Sequence, residues 1–114
     1  MRKIAFINDT HYKRLMLYQD QPGTGAYLLF STTLDDSGSC ADEYYTDIQD
    51  LYCVCLEEYD VKAEDWQTIN DPLPHCQHDI IDPVRVVGRH IGKPEYGTLE
   101  KLVDGNWVPW SYEV

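Results

Sequence analysis

Only one stretch of this chain repeats its apolar residues at helical spacing. Tyr44, Ile48, Leu51, Tyr52, Cys55, Leu56 and Tyr59 follow the i, i+3, i+4, i+7, i+8 steps that line one side of an amphipathic helix. The pattern predicts a single principal helix over about residues 42–59. Asp42 or Ser39 would cap it, and Asp42, Glu43 and Asp47 would favour its positive N-terminal end. Asp50 and Glu57 then face water, and Leu51, Leu56 and Trp66 are expected in the core. Cys53-Val54-Cys55 alone also suits a strand, but a strand would draw Asp50 and Glu57 into a buried run.

The rest of the chain is short, β-rich and punctuated by turn residues. Strands are expected over residues 3–7, 14–18, 26–34, 66–69, 84–87, 99–103 and 106–110. Gln21-Pro22-Gly23-Thr24-Gly25 reverses the chain between two of them, and Asp104-Gly105 is a two-residue hairpin turn. Pro109 lacks a backbone donor, which places the last strand at a sheet edge. With 114 residues there is room for one ordinary core. The expectation is therefore a single acidic α+β domain, 1–114, mainly antiparallel sheet packed with one helix.

Charge narrows the function. Twenty Asp and Glu stand against nine Lys and Arg, for a net charge of −11. Such a field repels phosphates, so nucleic acid and anionic membranes are excluded as expected partners and basic proteins are favoured. The acidity is concentrated. Residues 35–71 hold twelve carboxylates, and between Arg14 and Arg85 the only basic residue is Lys62. An ordinary exposed helix mixes signs at i,i+4 spacing, and unrelieved acids repel one another, so this block reads as a surface for a basic ligand.

Met1-Arg2-Lys3 is followed by too few apolar residues for an export signal, and no apolar run has the length of a membrane span. The expected compartment is cytoplasmic, where Cys40, Cys53, Cys55 and Cys76 stay reduced and form no disulfide. Cys53, Cys55, Cys76 and His78, with His75 in reserve, supply zinc-ligand types. On a helix, however, a Cys-x-Cys pair points its sulfurs about 200° apart, so no metal or other cofactor is expected. His11, His75, His78 and His90 stand in no recognisable catalytic order, and no nucleophile or phosphate-loop motif occurs, so the chain is not expected to be an enzyme. Trp107 and Trp110, three apart on a strand, face opposite sides, which leaves one of them to serve as an interface anchor.

Between residues 28 and 110 several strings have a familiar look: Phe30-Ser31-Thr32-Thr33-Leu34-Asp35-Asp36, Glu64-Asp65-Trp66, the run Asp71-Pro72-Leu73-Pro74-His75-Cys76-Gln77-His78-Asp79, Pro83-Val84-Arg85-Val86, and Asp104-Gly105-Asn106-Trp107-Val108. Together with the acidic helix they resemble immunity proteins of bacterial contact-dependent growth inhibition systems. The resemblance implies a cytosolic antitoxin that neutralises the toxin domain of an exported effector, often a nuclease, by occlusion and without catalysis. A nuclease is itself basic, so carboxylates would cover its cleft. The toxin-binding residues expected are Asp35, Asp36, Asp42, Glu43, Asp47, Asp50, Glu57 and Glu58, with His75, His78, Trp107 and Trp110 at the rim. The alternative is an acidic, nucleic-acid-mimicking inhibitor of another basic partner; a metal-dependent enzyme built on residues 75–78 ranks third.

Overall fold

The computed structural model describes residues 1–34 and 36–111. The chain divides into two compact units, Met1–Asp35 with Ser39–Asp71, and Asp36–Gly38 with Pro72–Val114. The α+β class holds: the sheets are antiparallel, and one α-helix accompanies them.

The first unit is a five-stranded sheet with a helix on one face. Its strands are β1 (Arg2–Phe6), β2 (Arg14–Tyr18), β3 (Ala26–Ser31), β4 (Ala41–Tyr45) and β5 (Gln67–Ile69), in the order β4-β3-β2-β1-β5. The register places Ala5 opposite Leu15, Leu15 opposite Phe30, and Leu17 opposite Leu28, so the middle of one face is apolar. Leu51, Cys55 and Val61 close over that face, to which Ala26 of β3 also belongs. Two-residue periodicity on the strands thus meets the helical stripe directly. Gly25 sits where β3 begins. A Cβ there would lie 2.6 Å from the Tyr45 carbonyl oxygen and would collide with the Tyr44 ring, so only glycine lets the edge strand approach this closely.

The helix, α1, spans Ile48–Tyr59 rather than the expected residues 42–59. Residues 41–45 form β4 instead, with Ala41, Glu43 and Tyr45 opposite Phe30, Leu28 and Ala26. The pairing satisfies the outer backbone groups of β3, a gain that local periodicity cannot register. Asp42 and Glu43 consequently lie on a strand and not at the helix dipole. The cap is Asp47, whose carboxylate accepts the Gln49 amide at 2.9 Å, in place of Ser39 or Asp42. Asp60, at φ 56°, ends the helix, and its amide and that of Val61 return to the carbonyls of Leu56 and Cys55. Leu51 is buried as expected, but Leu56 is 50% exposed. One position beyond Cys55, its side chain is rotated about 100° away from the sheet, which places it on the helix flank. Trp66 is half-buried and packs against the core edge-to-face with Tyr52, at a centroid separation of 6.0 Å.

The second unit is a three-stranded sheet, β6 (Val84–Val86), β7 (Leu99–Val103) and β8 (Asn106–Trp110), in the order β6-β7-β8. Asp104 and Gly105 both have positive φ, 51° and 81°, as a tight hairpin between β7 and β8 requires. Edge strand β8 tolerates Pro109, as its missing donor predicts. The proline-rich connection before β6 is tied down. Cys76 and Ile80 are buried, and the Gln77 amide donates to the Val84 carbonyl at 2.7 Å. Among the described residues, no helix is long and apolar enough to cross a membrane.

Candidate binding surface

The expected site residues fall on both units. Asp42, Glu43, Asp47, Asp50, Glu57 and Glu58 belong to the first; Asp36, His75, His78, Trp107 and Trp110 belong to the second; Asp35 lies outside the described residues.

Within the first unit the acids divide: Asp42, opposite Leu29, lies on the face of β4 turned away from the helix, and the others lie on the helix side or on α1 itself. Asp50 and Glu57 project outward from α1, 20° apart in projection at 100° per residue. Glu58 sits on the flank of α1, and Glu43 lies on the helix-covered side of edge strand β4. The two carboxylates converge. Burial pushes the Cys55 thiol up to about 12, and the charges of Glu43 and Glu58 add to that rise. Tyr45, raised to about 12 by burial and then by Glu43, donates its hydroxyl to Glu43 Oε1 at 3.4 Å. Tyr59 is raised by burial, then by Glu58, Asp9 and Glu43. Asp9, in the β1–β2 loop, therefore joins a patch that chain order did not suggest. Its own carboxyl is held below the usual range because it accepts the Tyr12 and His11 amides, each at 2.9 Å.

Among the described residues, no ion pair involves Asp9, Asp42, Glu43, Asp47, Asp50, Glu57 or Glu58. Arg2, Arg14 and Lys13 of this unit are turned to other uses. Arg2 and Arg14 are buried, bonding the Asn70 carbonyl and the Ser31 hydroxyl, while the ammonium of Lys13 reaches only the backbone carbonyl of Asp9. Edge strand β4 pairs on one side only, with β3, so Asp42 and Glu43 also guard an edge against pairing with another chain.

The second unit has a different character. The Asp36 carboxylate accepts the amides of Ile81 and Asp82, each at 2.7 Å, and so clamps the loop that precedes β6. Both bonds lie within the second unit. His75 and His78 are both exposed, with His75 in the left-handed region at φ 67°. Trp107 and Trp110 do face opposite sides of the small sheet, as their spacing predicts: Trp107 opposes Leu102, and Trp110 opposes Leu99. Trp107 lies under the Arg85 guanidinium, 3.7 Å from the ring centroid, and Arg85 Nε donates to Glu100 at 2.7 Å. This tryptophan is already engaged by a cation. Charges here alternate, with Lys101 paired to Asp82 at 3.0 Å.

Among the described residues no disulfide joins the cysteines, and Cys55 is buried while Cys53 is exposed on the opposite side of α1. Among the described residues, no three His, Cys, Asp or Glu side chains are grouped to hold a metal ion. One feature escaped the sequence reading: a largely apolar cleft of about 420 Å³ on the other flank of α1, between the helix and Trp66, with Lys3 in its wall. A lone lysine near the N-terminus and an exposed leucine carry no signal of it in the sequence. No protein-family model, curated protein or solved structure matches this chain.

Proposed function

We propose that this protein neutralises a basic toxin domain by binding it, in the manner of the immunity proteins it resembles, and that the contact surface is the acidic side of the first unit. The observation that carries this reading is the set of carboxylates on α1, β4 and the β1–β2 loop, none of them in an ion pair among the described residues. Acids on a stable surface repel one another, and a basic partner relieves that repulsion while steering its own approach. A nuclease domain presents such a basic cleft. Asp50, Glu57 and Glu58 are the central contacts. Asp47 contributes charge while holding the helix terminus, and Asp36 serves the fold. Occlusion of the partner's cleft requires no catalytic group, and none is assigned.

The test uses the C-terminal domain of the exported effector encoded beside this chain's gene. Binding is expected, with association slowing as salt rises. Reversing Glu57 and Glu58 to Lys should lower the association rate roughly tenfold and abolish protection of cells that express the toxin domain. Reversing Asp20 and Glu95 should leave both unchanged. Equal effects of the two pairs, an acidic cognate domain, or the absence of any such effector gene would overturn the assignment. A binding partner that is a basic nucleic-acid-binding protein rather than a toxin would point to the mimicry alternative.

A further inference from the structure

Lys3 is an anomaly in so acidic a chain. It stands on β1 opposite Leu17 of β2 and Thr68 of β5, on the face covered by α1, and is only partly exposed. Among the described residues its ammonium meets no carboxylate. It donates to the Tyr52 hydroxyl at 3.1 Å and lies 5.5 Å from the centre of the Tyr52 ring. An ammonium has three donors, so two remain for a ligand.

The space in front of it is the 420 Å³ cleft, walled by Tyr52, Leu56, Val61, Ala63 and Trp66. Leu56, half exposed at its mouth, is the residue that the helical pattern would have put in the core. Tyr52 and Trp66 meet at 74° and offer one ring face and one ring edge to an incoming group. The volume lies at the small end of ligand sites, suited to one or two fused rings.

We infer that this cleft binds a small aromatic monocarboxylate, with the ring held between Trp66, Tyr52 and Leu56 and the carboxylate on the Lys3 ammonium. The apolar walls lower the local dielectric beside the ammonium and strengthen the ion pair at short range. The net charge of −11 opposes anions, but salt screens it beyond about 8 Å, whereas the Lys3 contact is direct. Each additional ligand charge meets the unfavourable field, and among the described residues lining the cleft Lys3 has no second cation beside it, which favours a monocarboxylate over a phosphate. The cleft lies on the flank of α1 away from Glu43 and Glu58, so this inference stands apart from the toxin-binding proposal.

The test titrates the full chain with 1-naphthoate and, separately, with its neutral analogue 1-naphthamide, following backbone and indole NH signals by NMR. Naphthoate should shift the signals of Trp66, Leu56 and Lys3 and bind roughly tenfold more tightly than the amide. Lys3→Met retains the alkyl stem and should erase that preference while leaving the amide unaffected. Leu56→Glu, at an exposed position, should weaken both ligands, with its helix content checked by circular dichroism. Equal affinity for acid and amide, a preference that survives Lys3→Met, or shifts confined to other parts of the chain would each overturn the inference, as would the absence of any saturable shift.

Discussion

The Tyr45 hydroxyl donates to the Glu43 carboxylate, two residues back on the same strand, at 3.4 Å. Both side chains lie on the helix-covered side of β4, where Glu43 and Glu58 also bear on the Cys55 thiol. The acidic surface and the edge of the core are therefore contiguous, and burial there raises the Cys55 thiol and the Tyr45 hydroxyl.

That border sets the alkaline limit of stability. Cys55 rises from 9.0 to about 12 and Tyr45 from 10.0 to about 12 on folding, both chiefly through burial. A group whose folded-state value is raised binds its proton better when folded, so its stabilising contribution is complete below the unfolded value and disappears as pH rises towards the folded one. Denaturant midpoints should hold up to about pH 9 and then fall progressively towards pH 12. Cys55→Ala removes one of the groups raised by burial, so its melts should start lower at neutral pH and decline less steeply above pH 9. A wild-type midpoint that stays flat from pH 9 to 11 would contradict this.

Leu51 and Leu56 separate the helix register found here from the one periodicity suggests. Leu51 is fully buried, and Leu51→Ala should cost about 2–5 kcal/mol. Leu56→Ala removes a half-exposed side chain and should cost less than about 1 kcal/mol. Urea unfolding of the two variants measures the difference directly, and similar losses would return Leu56 to the core.

Asp36 is expected to behave as a structural residue. Its two bonds to the Ile81 and Asp82 amides involve a charged acceptor, so Asp36→Ala should destabilise the second unit by about 1.5–3 kcal/mol. Amide exchange should accelerate at Ile81 and Asp82 first. Asp36→Asn preserves one acceptor and should fall between the two. Loss of partner binding with unchanged exchange rates would instead return Asp36 to the contact surface.

Much of this architecture was legible locally. The strand β2, the hairpin at Asp104-Gly105, the edge position of Pro109, and the outward placement of Asp50 and Glu57 follow from two-residue alternation, turn chemistry and helical spacing, each set by a few consecutive residues. The acidity of residues 35–71 needs only a count of residue types. Tertiary structure decided what depends on partners distant in the chain. Residues 41–45 became a strand because β3 had backbone groups to satisfy, whereas their own sequence also fits the first turn of a helix. Asp36 found its role with amides 45 and 46 residues further on. Asp9 joined Glu43 and Glu58 around Tyr59, and Lys3 came to stand before a cleft walled by α1 and Trp66, only once the sheet had brought its strands together. Backbone preference is a local energy readable from neighbours, but burial, ion pairing and cavity shape are properties of surfaces that exist only after the chain has closed on itself.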